Sequence, residues 1–204
     1  MNYAAGKVCV GFSYPVVAKY AANGGEVTLS EGRVLARGVS VDVSINTQDS
    51  TDFYADDVLA ESSGERFKDG SLKLTVDGLF AEAERFISGQ PAAVEVPFGD
   101  SQVSLTKHST KTDAPYVAVG VIAKYMSGGV ELWTPYIFPK TKFKPTGLKA
   151  QTKGESISYQ TQDLEAALHR EDTPGANWKW VGEDFTTEAE ARAVLNTVCA
   201  VAGA

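Results

Sequence analysis

A chain of 204 residues with 43% apolar and 22% charged side chains has the material for a hydrophobic core and lacks the polar bias of a disordered segment. Its formal charge of −7 argues against tight binding to a nucleic-acid backbone, which needs clustered Lys and Arg, though not against passing contact. No run is long and apolar enough to span a bilayer, and the opening "MNYAAGKVCVGFSYP" lacks the apolar centre of a secretory signal, so synthesis in a cytoplasm is expected. The two cysteines, Cys9 and Cys199, are then expected to be buried and reduced.

In chain order, residues 1–14 read as an N-terminal arm. "PVVAKYAANGGEVTLS" (15–30) is a hairpin turning at Asn23-Gly24-Gly25, since paired Gly and Asn supply the positive φ that tight hairpin turns require. "VSVDVSI" (39–45) and "SLKLTV" (71–76) alternate apolar and polar residues, the period-two signature of half-buried antiparallel strands. They flank 46–70, which becomes the tip of one long hairpin. After Asp77-Gly78, "LFAEAERFISG" places Leu79, Phe80, Ala83, Phe86 and Ile87 on one helical stripe and stops at Gly89. "YVAVGVIAKYMSGGVELWTPYIF" (116–138) is a second hairpin, turning at Ser127-Gly128-Gly129.

The segments "VAKYAANGGEVTL" and "IAKYMSGGVELW" match in shape, through two similar halves of the fold or through shared hairpin chemistry. "SISYQ" looks strand-like, and "TQDLEAALHRED" (161–172) follows it with helix-favouring residues. The segment 183–204 is a C-terminal helix, opened by a capping box of Thr187 and Glu190. Ala191, Val194, Leu195, Val198 and Cys199 follow on one face. The chain reads as one mainly β domain over 1–204, a sandwich or partly closed antiparallel barrel. One helix follows the long hairpin and another ends the chain.

Catalytic signals are absent from the pattern. His108 and His169 have no metal-ligand spacing and read as surface residues, and no nucleophile elbow, phosphate loop or dinucleotide fingerprint occurs. No catalytic residue, metal or cofactor is assigned. Two rival readings stay open: a surface β-sandwich recognising carbohydrate through Trp133, Trp178 and Trp180, and a hydrolase using paired carboxylates.

Charge is what the chain distributes unevenly. Between Arg37 and Arg66 lie Asp42, Asp49, Asp52, Asp56, Asp57, Glu61 and Glu65 with no base. Within this run Phe53, Tyr54, Val58 and Leu59 form an apolar centre. Between Glu131 and Glu155 the only charges are Lys140, Lys142, Lys144, Lys149 and Lys153. In an extended "PKTKFKP" the first three lysines share a face. They either protect a sheet edge or meet acidic loops of another copy.

In order along the chain, "GFSYPVVAKYAANGGEVTLSEGRVLARGVSVDVSI", "FYADDVLAES", "DGSLKLTVDGLFAEAERFISG" and "ELWTPYIFPKTKFKPTGLKAQTKGESISYQTQDLEAALHR" resemble phage major tail proteins. These are the tube subunits of long-tailed phages, and the likeness is to the group from Gram-positive hosts. It covers about residues 11 to 170, carried by the ordered set and especially the FYAD-type loop. It implies a β-sandwich whose sheets join between neighbours into hexameric rings, stacked as a tube around a tape-measure protein. It also implies a terminator, distal tail or baseplate partners, an acidic lumen that double-stranded DNA traverses without specific binding, a location in the virion, and a strand at 161–172. On this reading Phe53, Tyr54, Val58 and Leu59 bury against an adjacent subunit, and the acids face the lumen or the strand of Lys140, Lys142 and Lys144. That strand points outward or into an interface.

Overall fold

The computed structural model describes residues 6–50, 52–152 and 159–202. Its strands are β1 (Val8–Asn23), β2 (Glu26–Val34), β3 (Gly38–Thr47), β4 (Asp52–Ala55), β5 (Val58–Ser62), β6 (Phe67–Val76), β7 (Val94–Phe98), β8 (Ser101–Leu105), β9 (Tyr116–Ser127), β10 (Val130–Phe143), β11 (Gln162–His169) and β12 (Trp180–Val181). Helix α1 (Ala81–Ser88) lies between β6 and β7, and α2 (Glu188–Val198) follows β12. The main sheet runs β2-β1-β9-β10-β11-β6-β3 with β12 beside β10, and all its strand pairs are antiparallel. The fold is therefore mainly β, but the sheet is open: it ends in β2 and β3 rather than closing.

Gly24-Gly25 and Gly128-Gly129 make the two expected turns, all four with positive φ. The similar hairpins lie side by side, since β1 pairs with β9. Their central strands are buried on both faces. Val117, Val119 and Val121 of β9 face an inner core with Val17, Leu72, Leu74, Phe138 and Leu168, into which α1 inserts Ala83 and Ile87. Ala118 and Ile122 face the opposite way, into an outer core with Val16 and Ile137 that α2 covers with Ala191, Leu195 and Cys199. Gly120 makes that cover possible, because a Cβ there would stand 2.7 Å from Val16 and 3.1 Å from Leu195. The sheet curls where the Phe12 ring lies on Gly38, bringing β3 towards β1.

Tertiary pairing settles 162–169 as strand β11, between β10 and β6, despite its helix-favouring residues. Of the strand-like "SISYQ", only Tyr159 and Gln160 lie within the described residues, and neither is in a strand. Of residues 1–14, those from Val8 onward already belong to β1. Within 183–204, α2 carries the expected capping box at Thr187 and Glu190.

Several expectations are corrected. Phe80 is the N-cap of α1 and 86% exposed, because the helix begins at Ala81, two residues after the stripe's expected start at Leu79. Val198 is likewise exposed. Cys199 is buried and free, its thiol pushed up to about 12 by burial. Cys9 is free but exposed, because β1 is buried only in its middle. His169 is half-buried, edge-on to the Tyr116 ring at 5.6 Å. The lysines of β10 protect no edge, since β10 is flanked by β9 and β11.

Candidate functional site

The acidic tip is itself a hairpin. β3 and β6 stay paired to Thr47↔Phe67, and β4 and β5 then form a separate two-stranded sheet. Its turn is Asp56-Asp57, both in left-handed conformation at φ 52° and 63°. Tyr54 stands opposite Leu59, and Ala55 opposite Val58. Phe53, Tyr54, Val58 and Leu59 are each at least half exposed, at 61%, 62%, 66% and 50%.

Around that apolar centre, Asp52 accepts from Ser62 and Glu65 from Thr47. Among the described residues no base pairs with Asp49, Asp52, Asp56, Asp57, Glu61 or Glu65. Asp42 lies apart from this tip, on β3 opposite Lys73.

The basic strand is occupied differently from the expectation. Thr141 and Phe143 point into the fold, while Lys140, Lys142 and Lys144 share the other face. Lys140 is largely buried and donates to both carboxylate oxygens of Asp172 at 2.6 Å, with its ammonium 4.6 Å from the Tyr116 ring centre. That bond holds the Asp172 carboxyl below the usual range. Lys144 reaches Glu165 at 2.5 Å, and Lys142 stands 3.8 Å from Asp113, both near solvent. All three lysines thus have acidic partners within the chain, Lys140 in a largely buried pair and Lys142 and Lys144 in more exposed ones.

A second projecting hairpin lay unread in the sequence. β7 and β8 pair through a two-residue turn at Gly99-Asp100 and form a sheet of their own. Residues directly opposite share a face, so Val94 with Leu105 and Val96 with Val103 make one apolar side, extended by Phe98. Phe98 is 73% exposed. The signal was there in "VEVPFGDSQVSL", as alternation on both sides of Gly-Asp.

A groove of about 700 Å³ opens beside it, between α1, residues 108–114 and the chain after β10. Leu79, Phe143, Pro145 and Leu148 supply its apolar lining; Lys142, Lys144 and His108 are its basic members and Glu84 and Asp113 its acids.

Polar groups elsewhere do structural work. Glu171, only 5% exposed, accepts from Thr173 Oγ1 and Asn177 Nδ2 at 2.6 Å and from Trp180 Nε1 at 3.1 Å. It closes the 171–180 loop, a role without a short-range sequence signal. Lys7, Thr134 and Asp184 form a cluster that ties the first described residues to the segment after β12. Its hydrogen bonds keep the Asp184 carboxyl low. Trp178 stacks on Phe67 at 4.9 Å against the inner core, whereas Trp133 and Trp180 pack on the outer one. The three indoles therefore do not line one carbohydrate face.

No group of three or more His, Cys, Asp and Glu among the described residues could hold a metal ion, and none of their helices is long and apolar enough to cross a membrane. Fold and site define a mainly β, antiparallel protein with two apolar-centred hairpins projecting from its main sheet. No protein-family model matches the chain, and no curated protein matches its sequence significantly.

Proposed function

We propose that this chain is a structural subunit of a phage tail tube, without enzymatic activity, that polymerises into stacked rings. The observation that carries the reading is the acidic hairpin, on which Phe53, Tyr54, Val58 and Leu59 are exposed side by side. Such a patch marks a surface that a partner covers. The open ends of the main sheet support it as well, because joining sheets between copies removes the edges that an isolated β domain leaves unpaired.

The charge of −7 per chain suits a conduit for DNA. Acidic walls repel phosphates and let the polymer slide, whereas a lysine-lined bore would hold it through counterion release. By the resemblance, rings are six-fold, the tube forms around a tape-measure protein, and a terminator and distal tail proteins close its ends.

Electron microscopy of the concentrated protein is expected to show rings or hollow tubes. A species that stays monomeric under every condition, with no ring in a virion, would overturn the reading. Phe53→Ser with Tyr54→Ser is expected to leave a folded monomer that does not polymerise; normal tubes from that variant would refute the role of the hairpin.

A further inference from the structure

The acidic hairpin and the groove lie at opposite ends of the same strands. Thr47↔Phe67 is the end of the β3–β6 pair that carries the hairpin, and Gly38↔Val76 is the other end. At that other end Val76 pairs with Gln162, which lines the groove together with Leu79 and Phe143. β6 has ten residues, so the two features stand about 30 Å apart at ~3.3 Å per residue. A hairpin cannot fold back across that span onto its own groove.

Their chemistries match. The hairpin has an apolar centre inside an acidic rim whose six carboxylates have no base among the described residues. The groove has apolar walls and carries Lys142 and Lys144. Residues 108–110 and 112 line it, and the segment 101–112 to which they belong contains Lys107 and Lys111 and no acid. Neither lysine forms an ion pair among the described residues. The second hairpin rises beside the groove, its base held where Ser109 N donates to Gln90 Oε1 at 3.1 Å. Its apolar side, Val94, Val96, Phe98, Val103 and Leu105, is continuous in sequence with the basic segment.

We propose that the groove and the 94–105 hairpin of one copy receive the acidic hairpin of the next. The contact is head-to-tail: each copy offers a hairpin at one end and a receptor at the other. Unlike surfaces joined this way do not close on themselves as a two-fold dimer does, and they propagate as an open stack when repeated along an axis. The inference rests on the tube reading and names the partner surface of its hairpin. Glu84 and Asp113 sit at the groove and the 94–105 hairpin carries Glu95 and Asp100, so the attraction comes from Lys107 and Lys111 together with the apolar side of that hairpin, and like-charge contact with these four acids limits how deep the tip enters.

Two variants test it. One reverses the hairpin (Asp52→Lys, Asp56→Lys, Asp57→Lys), the other the receptor (Lys107→Glu, Lys111→Glu, Lys142→Glu). Circular dichroism is expected to show both folded, and sedimentation to show each alone with at least a tenfold smaller assembled fraction than wild type. Mixed in equal amounts they are expected to regain assembly, because each supplies the end that the other can bind. A receptor variant that assembles like wild type, or a folded mixture that stays dispersed while wild type assembles, overturns the receptor and leaves the tube reading standing. Wild type that never assembles overturns both.

As a second readout, Leu59→Cys with Leu148→Cys in a Cys9→Ser background is expected to give a ladder of disulfide-linked multimers on oxidation. Assembled protein that yields no ladder counts against the assignment.

Discussion

The strand β9 and the hairpin β4–β5 place their apolar side chains in opposite ways. β9 buries both its faces, with Val117, Val119 and Val121 in one core and Ala118 and Ile122 in the other. The hairpin buries neither face and leaves Phe53 and Tyr54 in solvent. Aromatic burial would bring several kcal/mol to the fold at about 25 cal/mol per Å², and the chain forgoes it at the hairpin. Residues that hold the fold together are thus segregated from exposed apolar residues that the proposed assembly would bury, and substitutions in the two regions should act on different measurements.

The largest loss of stability is expected at the outer core. Leu195→Ala should cost about 2–5 kcal/mol in denaturant unfolding, through lost burial and the cavity left over Gly120. Glu171→Ala should follow at about 2–3 kcal/mol, because three side-chain donors lose their buried acceptor. Thr187→Ala, which removes the capping box of α2, should cost about 1 kcal/mol.

A smaller effect concerns pH. Burial, assisted by Lys140, depresses the pKa of His169 below its ordinary 6.5. The unfolded chain therefore takes up the proton first, and this contribution to stability is lost as pH falls from about 7 through that range. His169→Gln should flatten the decline measured by thermal melts between pH 7 and 5. At the far end of the scale, Phe53→Ser with Tyr54→Ser should change unfolding free energy by no more than about 0.5 kcal/mol. A large destabilisation there would erase the distinction between the two regions.

The strands were legible because alternation is a local property: Val41 and Val43, or Leu72 and Leu74, declare a face without knowing their neighbours. The Gly24-Gly25 and Gly128-Gly129 turns were legible for the same reason. Strand order was not, since it depends on pairings between residues far apart in the chain. Hence Lys140 could be placed on a face but not recognised as the partner of Asp172, nor β10 as an interior strand. Tertiary pairing also overrode the helix propensity of "DLEAALH". Of the candidate site, the acidic hairpin could be read from composition. The groove could not, because α1, the 108–114 loop and the end of β10 converge only in space. The β7–β8 hairpin carries a local signal as well, alternation on both sides of Gly99-Asp100.

The Asp56-Asp57 turn has one more consequence. Both residues adopt the left-handed backbone that Asn-Gly would satisfy with less strain. The tip therefore combines a defined shape with two negative charges, and chemistry can separate them. Asp56→Asn with Asp57→Gly suits the same turn geometry with less backbone strain while removing the two charges of the turn. Whether the proposed docking reads the outline of this turn or its electric field thus becomes a question two substitutions can answer.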